Sequence, residues 1–201
     1  MSNINAIVII PAKTDSTRLK KKNLRVIDGK TLVEHSIEYA LSSDLVKTII
    51  VTSESDEVRD IVENYFQPPD YNNSGKMIYL QHREESYMGE REVADVYVDS
   101  FKRYDAYRKS DITHVVGIQP DHPDRTNNLD DMIRYFIDNK YDDLVTVDRF
   151  GTRNGSIRIV KAEYVKNGTM SRRVGTMLDD CTNIHSEEDL KQAERNIQNN
   201  E

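Results

Sequence analysis

Ala6-Ile7-Val8-Ile9-Ile10-Pro11 runs directly into Ala12-Lys13-Thr14-Asp15-Ser16-Thr17-Arg18-Leu19-Lys20-Lys21-Lys22-Asn23. The first six residues are an unbroken apolar run closed by proline. That pattern suits a strand buried on both faces, since a half-exposed strand would alternate apolar and polar residues. Outward from it, Leu32-Val33, Ile37 and Ala40-Leu41 recur at helical spacing. Thr48-Ile49-Ile50-Val51-Thr52 is β-branched and reads as a second buried strand. Val58, Ile61-Val62 and Tyr65-Phe66 form another helical stripe, with Ser55 or Asp56 as its cap. Gln67–Gly75, with two prolines, reads as a loop. Further strands are expected at Met77–Leu80, His114–Ile118, Leu144–Val147 and Ser156–Val160. Helices are expected from Val93 to Tyr104, from Leu129 to Ile137, and around Leu190, Ala193 and Ile197. Ser186 and Asp189 would form a capping box for the last of these.

Strand and helix therefore alternate. The expectation is an α/β fold: a doubly wound, mostly parallel sheet with helices on both faces, formed as one domain over residues 1–201. Such sheets bind ligands beyond the carboxyl ends of their strands. The segments 11–23 and 119–126 each follow a strand, so they should line the site.

Composition narrows the chemistry. The 201 residues carry a net charge of −7, which argues against coating nucleic acid or an anionic membrane. Cys181 is the only cysteine, which excludes an intrachain disulfide and a cysteine-rich zinc site. No apolar run is long enough for a membrane span or a signal peptide, so a cytoplasmic setting is expected. Against this acidic background, Lys13, Arg18, Lys20, Lys21 and Lys22 crowd one loop at a strand's carboxyl end. Lysine neutralises phosphate as a mobile point charge and arginine adds a planar fork. The frame is neither the Gly-x4-Gly-Lys-Ser/Thr loop of P-loop enzymes nor the Gly-x-Gly-x-x-Gly dinucleotide turn. No Gly-x-Ser-x-Gly elbow supports a hydrolase.

The stretch Ile9–Leu24, followed by Ile27-Asp28-Gly29-Lys30-Thr31-Leu32, resembles the opening signature of the sugar-acid cytidylyltransferases, the acylneuraminate (CMP-sialic acid synthetase) and CMP-Kdo synthetase type. The likeness continues through His35–Leu41, Ile49–Ser53, Ile118–Thr126, Asn154–Ile157 and Ile184–Leu190. It implies transfer of CMP from CTP to an acidic sugar, with pyrophosphate leaving. It implies Mg²⁺, with Mn²⁺ as an alternative. By motif, Lys13 and Lys22 would contact the triphosphate, Asn23 would position the nucleotide, and Arg18 would add a further phosphate contact. Arg83 would lie near the cytidine, and Gln119 and Arg125 near the acceptor. Tyr79 and Tyr87 read as packing residues rather than base-stacking ones.

Three positions depart from the family pattern. Asn183-Ile184-His185 stands where the acylneuraminate enzymes carry an Asp-x-Asp metal pair. Asn offers a carbonyl oxygen, and neutral His favours Mn²⁺ or Zn²⁺ over Mg²⁺. Asp121 stands where the CMP-Kdo enzymes have a metal-binding acid, which makes it the main candidate ligand beside Asn183 and His185; a turn-forming role is the alternative. Lys22 and Asp121 are then the candidate catalytic pair. Only Gly151-Thr152-Arg153 separates the strand before Phe150 from Asn154, where relatives carry a long insertion that reaches a partner subunit. The usual dimer is thereby put in doubt. Arg149 and Arg153 could serve a smaller acid such as a phosphonate, or could be exposed arginines beside a turn. Loss of catalysis with retained nucleotide binding is the third reading.

Overall fold

In the computed structural model, residues 4–65, 75–84, 86, 92–109, 111–169 and 171–200 are described. The loop expected at 67–75 falls almost entirely outside them, as does Tyr87. Strand β1 (Ala6–Pro11) is buried at every position, as its unbroken apolar run requires. It pairs in parallel on one side with β4 (Val46–Ser53) and on the other with β6 (His114–Ile118). β4 pairs in parallel with β5 (Met77–His82). Beyond β6 lie β8 (Arg153–Lys161), β7 (Asp143–Val147) and β9 (Val174–Leu178), giving the order β5-β4-β1-β6-β8-β7-β9. β8 runs antiparallel to both neighbours while β7 and β9 pair in parallel, so the sheet is mostly parallel, as expected. A two-stranded ribbon, β2 (Val26–Ile27) with β3 (Lys30–Thr31), stands apart from it.

One face of the sheet carries α1 (Leu32–Leu41), α2 (Asp56–Asn64) and α4 (Leu129–Asp138), whose apolar stripes pack with Val8, Ile49, Val116 and Ile159. The other carries α3 (Val93–Arg108) and α5 (Ala162–Asn167), packed on Ile7, Ile9, Ile50 and Val115. Gly117 in β6 is required here. A Cβ at that position would lie 2.2 Å from Tyr97 Cζ of α3, so only glycine lets the buried ring seat on the sheet. The last helix, α6 (Glu187–Asn200), packs Leu190 and Ala193 against Leu19, Ile27, Leu32 and Ile184. This satellite cluster matters for function, because Leu19 is the apolar anchor of an otherwise cationic loop.

Helix ends follow local chemistry. Thr31 and Glu34 close a reciprocal capping box on α1. Asp189 Oδ2 accepts from Ser186 N and Oγ at 2.8 and 2.9 Å, as the sequence suggests. Ser55 occupies the cap position of α2 but its side chain accepts no capping bond, a difference from expectation. The elements missing from the sequence reading are the β2–β3 ribbon, α5 and β9. β9 alternates exposed and covered residues at the sheet edge, with Val174 and Leu178 half exposed, so it lacks the continuous apolar run of the inner strands. Among the described residues no helix is long and apolar enough to cross a membrane.

Candidate active site

Chain order reverses between β1 and β6: successive strands run to β5 on one side and to β9 on the other. A crevice opens at the carboxyl ends of the strands at such a switch point. Here it is a cleft of about 530 Å³ that includes open solvent. Lys13, Ser16, Lys22 and Asn23 from the loop after β1 line it, with Arg83 from after β5 and Gln119 and Asp121 from after β6. Two loops distant in sequence thus meet, as the sequence reading requires.

The cationic loop is held in shape by its own polar residues. Asn23 is buried and its Nδ2 donates to Lys13 O at 2.8 Å, closing the ends of the loop on each other. A 3-10 turn at Lys22–Leu24 follows Lys21, whose φ is 51°. Lys13 pairs with Asp15 at 3.4 Å and Lys21 with Glu57 at 2.7 Å. Arg18 is exposed. Glu54, just past β4, accepts from Thr14 N at 2.7 Å and from Thr14 Oγ1 at 2.8 Å. Arg83 is buried to 5% exposure; burial lowers its pKa, and Glu54 and Asp15 oppose that shift.

Lys22 Nζ reaches across the cleft to Asp121 Oδ2 at 2.5 Å and to Ile184 O at 3.1 Å. Both side chains of this pair are only 14% exposed. Burial pushes the Asp121 carboxyl up, but the adjoining His122 ring and the Lys22 ammonium outweigh it and hold the group below the usual carboxylate range. His122 is fully buried. Its Nδ1 lies 3.0 Å from Asp121 Oδ1, within ion-pair reach but out of line for a hydrogen bond, so neither atom has a hydrogen-bond partner. Asn183 Oδ1 and His185 Nδ1 are likewise buried without partners. Ile184 N donates to Asp121 O at 2.9 Å, which brings the two segments together. Burial, then Arg18 and Lys22, lower the His185 pKa, so its imidazole is neutral near pH 7 with a lone pair to offer.

These orphaned atoms bear on the metal. Among the described residues no three His, Cys, Asp or Glu side chains form a metal-holding group. Mg²⁺ needs no such cage, since it keeps waters and takes one or two carboxylates plus phosphate oxygens. Asp121 Oδ1, Asn183 Oδ1 and His185 Nδ1 fit that modest requirement, and the nitrogen adds a preference for Mn²⁺.

Gln119 owes its place to Gly155 in β8, whose φ is 77° and whose Cβ, were there one, would lie 2.6 Å from Gln119 Nε2. Arg125 does not join the cleft-lining group. Its guanidinium donates to Gln119 O and, at 2.9 Å, to Ser156 Oγ, and it lies over the Tyr39 ring. Ser156 in turn donates to Asp179 Oδ2 at 2.6 Å. Arg125 therefore fixes the backbone that carries Gln119. Arg149 pairs with Asp180 at 2.6 Å, and Arg153 is exposed at the start of β8. Tyr79 packs edge-on against Tyr104, away from the cleft. Burial and then Asp179 push the Cys181 thiol up to about 12, which leaves it inert.

Sequence reasoning missed Glu54, His122 and Asp124. Asp124 is buried and accepts from Thr182 N at 2.8 Å, Thr182 Oγ1 at 2.7 Å and Asn196 Nδ2 at 2.7 Å. It ties α6 and the Asn183–His185 segment to the β6 loop.

The family model described as cytidylyltransferase matches residues 7–199. The chain belongs to the cytidylyltransferase family. Within that family, it is 34% identical over 62 residues to a 3-deoxy-manno-octulosonate cytidylyltransferase of Chlorobium phaeobacteroides, covering 31% of this chain and 25% of that protein. It is 39% identical over 59 residues to an N-acylneuraminate cytidylyltransferase of Escherichia coli O18:K1:H7, covering 29% of this chain and 14% of that protein. The match thus spans a quarter or less of these relatives' own lengths. Among solved structures, a CMP:2-keto-3-deoxy-manno-octonic acid synthetase complexed with CTP superposes with a TM-score of 0.70 at 14% identity, covering 98% of this chain and 100% of that one. At that identity the likeness shows the shared α/β fold.

Proposed function

We propose that this protein transfers CMP from CTP to an acidic sugar of the ulosonic or nonulosonic type and releases pyrophosphate. The observation that carries the reading is the switch-point cleft, which Lys13, Lys22 and Arg83 line together with Asp121 in an otherwise acidic protein. In this reading the acceptor oxygen attacks the α-phosphorus while charge grows on the bridging and non-bridging oxygens. Lys13 and Lys22 hold the β- and γ-phosphates in line and neutralise that charge, with Arg18 meeting the phosphates from the solvent side. Preorganised cations of this kind supply most of what phosphoryl-type transfer asks of a protein. Asn23 keeps the loop closed, and Arg83 sits on the nucleotide side. Gln119 faces the acceptor and Arg125 steadies it. Asp121, with Asn183 and His185, would hold the divalent ion, which when bound polarises the phosphoryl oxygens.

The tight β7–β8 turn favours a second reading of the acceptor. Asp148 Oδ1 accepts from Phe150 N at 2.9 Å and Thr152 N at 2.8 Å, which closes the turn on itself where an insertion would otherwise emerge. A smaller acid such as a phosphonate suits that shorter wall. The test is CTP-dependent pyrophosphate release with Mg²⁺ or Mn²⁺ across ulosonic acids, nonulosonic acids and small phosphonates. Release with one acceptor class identifies it. No release with any class, in a protein that still binds CTP by calorimetry, leaves a nucleotide-binding protein and defeats the transfer reading.

A further inference from the structure

The environment of Lys22 Nζ is that of a bound cation. It touches one carboxylate oxygen of Asp121 and the main-chain carbonyl of Ile184, at 2.5 and 3.1 Å. On either side of Ile184, Asn183 Oδ1 and His185 Nδ1 are buried with no hydrogen-bond partner, and Asp121 Oδ1 meets only the His122 ring, at 3.0 Å and out of line for a hydrogen bond. Buried acceptors without partners are costly. A single ammonium carries three hydrogens on a tether and leaves the Asn183 and His185 atoms unanswered. A divalent ion gathers several acceptors at once. A divalent ion on the Asp121 carboxylate repels an ammonium held at hydrogen-bond distance from the same group, which drives the two apart.

We propose that Lys22 has two stations: in the free protein its ammonium occupies the cation position made by Asp121, Asn183, His185 and the Ile184 carbonyl, and it yields that position to the divalent ion and moves onto the triphosphate. The inference rests on the metal and CTP reading above and adds an order to it. The chain carries its own stand-in cation, and nucleotide draws Lys22 away as metal enters. Lys22 is thereby a competitor for metal before CTP arrives and a phosphate ligand afterwards.

Mn²⁺ titration followed by electron paramagnetic resonance, without nucleotide, tests the exchange on the native chain and on Lys22→Met. If the ammonium holds the position about four-fifths of the time, its removal tightens Mn²⁺ binding about fivefold. Unchanged or weaker Mn²⁺ binding in a folded Lys22→Met protein overturns the proposal. A second arm needs no variant: trace acetylation of the native chain, read at Lys22 by mass spectrometry. Mn²⁺ alone should raise labelling at Lys22 relative to Lys20, and no change overturns the exchange. CTP calorimetry on the native chain separates the two readings. Failure to bind CTP with the Mn²⁺ results intact sinks the transferase and leaves the cation exchange standing.

Discussion

Replacing Glu54 by alanine should weaken CTP binding while leaving the sheet folded. One carboxylate oxygen accepts both donors of Thr14, at 2.7 and 2.8 Å, and so pins the start of the cationic loop to the end of β4. The other, Oε2, is buried without a hydrogen bond, and Glu54's charge opposes the burial-driven fall in the Arg83 pKa. Hydrogen bonds to a charged acceptor contribute about 1.5–3 kcal/mol each. The site is only part-buried, so water takes up some of the loss, and about 2 kcal/mol of loop order is at stake. If all of it is drawn from CTP binding, the dissociation constant rises up to about 30-fold. A competing effect has the opposite sign, since Glu54 also repels a triphosphate. Glu54→Gln separates the two, because it keeps an acceptor for Thr14 and deletes the charge. Calorimetric titration with CTP, beside urea unfolding of each protein, decides. The expected order of affinity is native, then Glu54→Gln, then Glu54→Ala. Tighter CTP binding in both variants, or a folded Glu54→Ala protein that binds CTP within about twofold of the native one, refutes the clasp.

Two further outcomes follow from the same geometry. Gly155→Ala should destabilise the chain by about 1–2 kcal/mol, because its φ of 77° is strained for any residue with a Cβ. It should also displace Gln119 and raise the acceptor KM at unchanged CTP affinity; urea melts and two-substrate kinetics check both, and an equal change for CTP counts against the acceptor role of Gln119. His114, stacked edge-on against Phe136, has its pKa lowered from 6.5 to about 4 by burial and then by Lys161. The folded state therefore binds fewer protons than the unfolded one in that interval, so stability is full above pH 6.5 and falls as pH drops toward 4. Allowing for partial exposure, the loss is about 2 kcal/mol. His114→Gln should flatten this part of the urea-midpoint profile between pH 7 and 4.5, and an equally steep profile would assign the acid loss to other groups.

What the sequence revealed, and what it hid, divides along a physical line. β1 was legible because a strand buried on both faces admits no polar residue, and all six of its positions are buried. The cationic loop was legible because five positive charges between two apolar segments have no packing role to explain them. Its meeting with Asp121 followed from topology, since parallel strands put their carboxyl ends on one side. β9 escaped because an edge strand needs only one covered face. Glu54, His122 and Asp124 escaped for a different reason. Their neighbours in sequence are turn residues; Glu54 and Asp124 meet Thr14, Thr182 and Asn196 only through the register of β4 and β6 and the docking of α6, and His122, although next to Asp121 in sequence, owes its full burial to the fold. Charge placed at a strand end can be read along the chain. The side chains that hold it there are defined by three-dimensional neighbours, and one sequence does not display them. Arg125 marks the boundary between the two cases. Its motif points to the acceptor, yet its guanidinium is engaged by Gln119 O and Ser156. A residue can thus belong to a functional motif by shaping its neighbour, and the test for such a residue is whether its loss moves Gln119 rather than whether it touches substrate.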